Sequence, residues 1–207
     1  MMLCEKYKPK IFDEVCGNRW NIQSLRRLIK NNNIPHLLFF GQAGTCKTTT
    51  AFVMLNEMKN LYGEEPYSVY IDASRGFDVD KIEVGRPPLV WWDVSEKMKL
   101  KFYIIDNAES MDEKTQRKLL IPMQEHLNNN KFILICNDKK KLIRPLKSRC
   151  HKFEFKLTLE DIIDTVEKIA KLERLKISDV EIRNIAIQAE NDLRTALNWL
   201  EEFRIGD

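Results

Sequence analysis

The sequence predicts an α/β protein, a parallel sheet flanked by helices and followed by a small all-helical unit. Three observations carry that expectation. Short apolar runs recur along the first three quarters of the chain, stretches of helical periodicity alternate with them, and beyond Phe155 the strand signal stops while helix starts continue.

Residues 1–20 read as an extended lead-in strap, with Pro9 biasing Lys8 away from helix. Over Asn21–Lys30, Ile22, Leu25, Leu28 and Ile29 fall at helical spacing, and the Asn31–Asn33 triplet with Pro35 ends that helix. Leu37–Phe40 is apolar on both faces, as a strand buried inside a parallel sheet must be. A helix over Lys47–Leu61 follows. The runs Ser68–Ile71, Phe102–Ile105 and Phe132–Cys136 supply three more strands, with helical pattern over Glu113–Leu127 between the last two. Thr158 with Asp161 and Ser178 with Glu181 have capping-box form, and Asn191-Asp192 offers a third helix start. The expected division is an α/β domain over 1–155 and a three-helix domain over 156–207. The Asn triplets at 31 and 128 read as loops.

At 207 residues the chain has room for a sizeable core and a small appendage. Its 34 Lys+Arg against 31 Asp+Glu leave a net charge of +3, so any nucleic-acid contact needs a local patch. The five cysteines form no CxxC pair and no regular spacing with the three histidines, which argues against zinc and disulfides and suits a reducing, intracellular compartment. No stretch approaches the roughly 20 apolar residues of a membrane span, and no signal-peptide pattern opens the chain.

The strongest local signal is Gly41-Gln42-Ala43-Gly44-Thr45-Cys46-Lys47-Thr48, which fits G-x-x-x-x-G-K-[ST] only with Cys46 in place of the last glycine, and Thr49 follows it. It sits between an apolar strand and a helix, where backbone N–H groups and the helix dipole are aimed at phosphate oxygens. Lys47 would reach the β and γ phosphates of a nucleotide, and Thr48 would ligate Mg²⁺. The Cβ of Cys46 is expected to weaken binding if that residue needs a positive φ. A chance glycine-rich turn is the competing reading. Asp106, ending the run Phe102–Ile105, supplies the acidic residue that would hold Mg²⁺ through water, unless it merely caps the next helix.

With these residues in place the chain resembles the small subunits of replication factor C and related clamp loaders, members of the AAA+ ATPases. The resemblance runs through Glu5–Lys10, Phe12–Val15, Pro35–Phe39, the phosphate loop, Ser148-Arg149-Cys150 and Asp192–Asn198. It implies an AAA+ P-loop core with a helical lid, an ATP and Mg²⁺ site, and work with other subunits, a sliding clamp and primer-template DNA in replication. By resemblance, Tyr7, Pro9 and Val15 pack around the adenine, Asn137 senses the γ-phosphate, Arg194 is a second sensor from the lid, and Arg149 acts on a neighbour's ATP. Taken singly, Asn137 could be a turn former, Arg194 an exposed helix residue and Arg149 a surface ion-pair partner. The setting is the nucleus in a eukaryote and otherwise the cytoplasm or a viral factory.

Departures from the family pattern shape the rest. Asn107 stands where the family has the glutamate that polarises water, so own-site hydrolysis is expected to be slow. Glu109 is not expected to take over, because it would reach from a different position in the loop. The family's collar domain is not seen after the lid. Arg75, Lys81, Arg86, Lys114 and Arg117 are DNA-contact candidates, with ordinary solvated charge as the alternative reading of each. Trp91 and Trp92 read as packing residues, with a partner contact second, and Lys139–Lys141 as a solvated turn. Two rival functions stay open: a non-catalytic scaffold donating Arg149, and another AAA+ replication or repair ATPase.

Overall fold

A computed structural model of the chain describes residues 1–64, 66–79, 82, 100–125 and 130–205. Five strands, β1 (His36–Phe40), β2 (Tyr67–Asp72), β3 (Lys101–Asp106), β4 (Asn130–Cys136) and β5 (Cys150–Glu154), form one sheet in the order β2-β3-β4-β1-β5. All four pairings are parallel. Around them run α1 (Leu3–Lys6), α2 (Arg19–Lys30), α3 (Lys47–Tyr62), α4 (Glu113–Glu125) and α5 (Arg144–Ser148). The helices α6 (Leu159–Glu173), α7 (Asp179–Gln188) and α8 (Leu193–Ile205) follow the last strand.

Alternation along each strand sends side chains to opposite faces, and here both faces are covered. Leu37, Phe39, Phe102 and Ile104 meet Leu25 and Ile29 of α2 and Met54 and Met58 of α3. Leu38, Tyr103, Ile105 and Leu134 meet Leu119 and Met123 of α4 and Leu146 of α5. Each such buried Leu or Phe contributes about 1.5–3 kcal/mol, which is why β1 tolerates no polar residue between His36 and its end. The chain leaves β1 toward β2 and leaves β4 the other way, toward β5. A crevice therefore opens at the carboxyl ends of these two neighbours, the usual ligand position in an open α/β sheet.

A third core joins α6, α7 and α8 through Ile162, Val166, Ile185, Ala196 and Leu200, and it includes Leu3 and Cys16 from the strap. Both capping boxes form, Thr158 with Asp161 and Ser178 with Glu181. The strap is fastened to this helical region by polar contacts as well. The Leu3 N–H donates to Glu201 Oε2 at 2.7 Å, Lys6 Nζ meets Glu173 Oε1 at 2.5 Å, the Tyr7 hydroxyl donates to the same oxygen, and Arg204 donates to the Met1 carbonyl at 3.1 Å. Farther along, Phe12 and Val15 turn into the sheet-side core.

Several elements differ from the sequence expectation. The strap is not wholly extended: it holds α1 and a 3₁₀ turn at Phe12–Glu14. α2 begins at Arg19 because Gly17 and Asn18, at φ +58 and +51, turn the chain just before it. β5 and α5 are additional, and Asn130 opens β4 rather than lying in a loop. Trp91, Trp92, Lys81, Arg86, Leu127 and Asn128 lie outside the described residues. All five cysteines are free, and no described helix is long and apolar enough to cross a membrane.

Candidate functional site

The loop after β1 folds around two glycines. A Cβ on Gly41 would sit 2.1 Å from the Phe155 carbonyl oxygen, and one on Gly44 would sit 1.8 Å from Asp192 Oδ1. Gly44 is also at φ +67, and its carbonyl accepts from the Leu193 N–H at 3.3 Å, so the helical region is seated directly on the loop. The Lys47 ammonium curls back to donate to the Gly41 and Gln42 carbonyls at 2.8 and 2.5 Å, while Thr45 Oγ1 donates to Gln42 O at 2.8 Å. Burial is the main force holding the Lys47 pKa below its usual value, and the carboxylates of Asp106, Glu109 and Asp192 work against it.

Cys46 has φ +68 as the residue preceding α3. A non-glycine residue there carries roughly 1–2 kcal/mol of strain. Its thiol, pushed up to about 12 chiefly by burial, packs as an uncharged group between the sheet core and the helical core.

At the ends of β2 and β3 a second group of side chains gathers. Thr48 Oγ1 donates to Asp106 Oδ2 at 2.8 Å, which ties the start of α3 to the end of β3. The Tyr70 hydroxyl donates to that same oxygen at 3.1 Å, and the Asn107 N–H to Asp106 Oδ1 at 2.9 Å. Asn107 is itself at φ +51, a conformation asparagine accepts more readily than most residues. Its amide nitrogen donates to Asp72 Oδ1 at 3.0 Å. Asp72 in addition accepts from Ser74 N and Oγ and pairs with Arg75 Nε at 3.2 Å. These hydrogen bonds, Ser74 first and Asn107 next, lower the Asp72 carboxyl to about 2.

Sequence reasoning passed over Asp72 and Tyr70, although an acidic residue ending a strand was the very signal used for Asp106. Nor did it show the contact that Glu109 makes. The side chain spans to the end of β4, where Glu109 Oε1 accepts from the Asn137 N–H at 2.9 Å. The extra methylene over aspartate makes that span.

Other expected residues are placed as follows. Ala43 and Thr49 belong to the loop and the first turn of α3. Asn137 directly follows β4, across the crevice from the loop. Arg194 is exposed in the first turn of α8, its N–H donating to Asp192 Oδ1 at 2.9 Å. Tyr7 and Val15 line a cleft of about 820 Å³ shared with Asp161 and Thr165 of α6, whereas Pro9 does not line it. The Asn18 amide bridges that region to the loop, donating to Cys16 O at 3.4 Å and Thr45 O at 3.3 Å.

Arg149 is not brought to this crevice. It precedes β5 at the amino edge of the sheet, its guanidinium donating to Pro145 O at 2.8 Å, one strand length or roughly 15 Å from the loop. Arg75 is paired with Asp72, Arg117 with Glu113 at 2.5 Å, and Lys114 is exposed on α4.

The chain is similar to several known proteins. A family model described as DNA polymerase III, delta subunit, matches residues 93–158. The chain is 34% identical over 206 residues to the replication factor C small subunit of Staphylothermus marinus, covering 97% of this chain and 61% of that protein. It is 35% identical over 204 residues to the same subunit of Thermofilum pendens, covering 95% and 61%. Against replication factor C subunit 4 of Saccharomyces cerevisiae it is 30% identical over 209 residues, covering 98% and 63%. The chain thus spans about three fifths of the length of these curated relatives. Among solved structures, the Thermotoga maritima RuvB Holliday junction branch migration motor superposes with a TM-score of 0.71 at 17% identity, covering 94% of this chain and 64% of that one. A point mutant of that RuvB, a lysine replaced by arginine, gives 0.76 at 15% identity, covering 95% and 65%.

Proposed function

From a chain related over nearly its whole length to replication factor C small subunits, and built as an AAA+ core with a helical lid, we propose an ATP-binding clamp-loader subunit. In this reading it works with other subunits to open a sliding clamp and load it on primer-template DNA, and hydrolysis at its own site is weak. The division falls at 155/156, with the lid covering the nucleotide.

The observation that carries the reading is the Thr48–Asp106 contact at 2.8 Å beside the buried ammonium of Lys47. It brings a hydroxyl and a carboxylate from two elements to one point at the mouth of a glycine-shaped loop. Hard oxygen donors of this kind suit Mg²⁺, which takes few protein ligands and completes its shell with phosphate and water. Among the described residues no cluster of three His, Cys, Asp or Glu side chains competes for a metal. The close approach of backbone at Gly41 and Gly44 fits a phosphate chain, and Lys47 is placed to exchange its two carbonyl partners for phosphate oxygens. Bound Mg²⁺ would offset charge on those oxygens. Asn137 and Arg194 flank the same crevice as sensors, while Arg149 serves a neighbour's nucleotide, a role supported by its place at the far edge of the sheet.

The weak-hydrolysis half rests on Asn107. Its amide is held by Asp72 and has no basic oxygen to take a proton near neutral pH. A non-catalytic scaffold donating Arg149 is the second reading, favoured by the same contact. Lys114, Arg117 and Arg75 are the described candidates for phosphate-backbone contact with DNA.

Titration with ATP and ADP, with and without Mg²⁺, followed by turnover alone and with partner subunits and clamp, tests the proposal. Mg²⁺-dependent ATP binding with slow turnover is expected. Absence of binding sinks the reading, and brisk turnover by the isolated chain sinks its second half.

A further inference from the structure

Three carboxylates stand at the carboxyl edge near Asn107, and their occupancies differ. Asp72 is saturated, with Asn107 Nδ2 and both Ser74 donors on Oδ1 and the Arg75 guanidinium on Oδ2. Asp106 accepts from Thr48, Tyr70 and the Asn107 N–H. Glu109 is different. Its Oε1 takes the Asn137 N–H at 2.9 Å, but its Oε2 is buried and, among the described residues, has no hydrogen-bond partner. A buried carboxylate oxygen left in that state is costly and calls for a donor. The ammonium of Lys47 is near enough to feel the Glu109 charge, yet it is bonded to Gly41 and Gln42 rather than to Glu109. The oxygen is therefore a buried, unpaired acceptor within the electrostatic neighbourhood of the loop's lysine.

We propose that Glu109, reaching across from the turn after β3, is the carboxylate that orients and deprotonates the attacking water in this chain, in place of the residue at 107. The inference rests on the phosphate-site reading given above. Oε2 accepts the proton while the water's lone pair forms the new bond to the terminal phosphorus. The bond from that phosphorus to the bridging oxygen breaks, and its electron pair leaves with the nucleoside diphosphate. Oε1 meanwhile fixes the backbone of Asn137, so the same side chain positions the sensor and handles the proton.

The two oxygens can be tested separately. Glu109→Gln keeps a carbonyl oxygen for the Asn137 N–H and removes the base, whereas Glu109→Ala removes both. In single-turnover assays with Mg²⁺ and partner subunits, Glu109→Gln is expected to hydrolyse ATP at least about 100-fold more slowly than the parent, with ATP affinity within about threefold. In the unloaded chain, hydrogen exchange at the Asn137 amide should stay within about threefold for Glu109→Gln and speed up about tenfold or more for Glu109→Ala. Hydrolysis by Glu109→Gln at the parental rate with intact ATP binding overturns the Glu109 assignment alone, as does a parent that binds ATP but never turns it over. An unchanged Asn137 exchange rate in Glu109→Ala overturns the positioning half. Failure of the parent to bind ATP overturns the phosphate-site reading and this inference together.

Discussion

The two halves of the carboxyl edge are built to different standards. On the β1 side, the loop from Gly41 to Thr48 retains its glycines where backbone approaches within contact, its lysine inside the loop and its hydroxyl at the mouth. On the β2–β3 side, a neutral amide held by Asp72 stands next to Asp106, and a buried carboxylate oxygen with no partner among the described residues comes from a residue two positions on. On the reading proposed above, the difference teaches that holding a phosphate chain and activating water depend on separable groups. A chain can alter the second while leaving the first nearly whole.

The largest expected effect falls on the β1 side. Lys47→Ala removes the only ammonium described within the loop and should weaken ATP binding by about 100-fold or more in an equilibrium titration, as loss of charged hydrogen bonds at about 1.5–3 kcal/mol each implies. Retained affinity would remove the contrast at its root. Next, Asn107→Glu should raise single-turnover hydrolysis about tenfold or more with affinity within about threefold, since a carboxylate base contributes about 100-fold or more when well placed. The left-handed backbone at 107 takes back part of that gain. A smaller effect is expected for Cys46→Gly. Relief of about 1 kcal/mol of backbone strain, offset by the loss of buried thiol contacts, should move stability in denaturant unfolding by less than about 1 kcal/mol, with ATP affinity within about threefold because the strain is already present in the unloaded chain.

A control at the opposite edge sharpens the contrast further. His36 is buried, its Nε2 meeting Met123 O at 2.9 Å and its Nδ1 accepting from the Phe132 N–H at 3.1 Å, so the ring must be neutral. Burial lowers its pKa. With the folded pKa below the unfolded value of about 6.5, the stabilisation is complete above that pH and is lost as pH falls through it toward the folded value. Denaturant unfolding should show a stability slope of up to about 1.4 kcal/mol per pH unit in that window, diminished in His36→Gln, with ATP affinity at a pH of about 7.5 unaffected.

Sequence patterning made β1, α3, β3 and the phosphate loop legible, because burial on both faces forces an apolar run and close backbone approach forces glycine. It could not show α1, which has four residues and is stabilised by Glu201 from the other end of the chain. Nor could it show β5, whose Cys150–Glu154 segment carries charge on an edge strand. In the site, Lys47, Thr48 and Asp106 were readable because local motifs fix them. The Asp72–Asn107 and Glu109–Asn137 contacts join the ends of different strands and the turns that follow them, and they depend on one positive φ and one methylene of reach. Neither quantity is written in composition or spacing.

The strap fastened to the helical region makes the molecule a closed mechanical loop. The helical region touches the core at Gly44 through Leu193 and Asp192, and it is joined to the core a second time through residues 1–17 by way of Glu173 and Glu201. A body attached at two places cannot swing freely about one of them. Rotation of the helical region about Gly44 has to be matched by bending of the segment between Tyr7 and Gly17, so a probe on that segment would report that movement without touching the side of the crevice that holds Asp106 and Asn107.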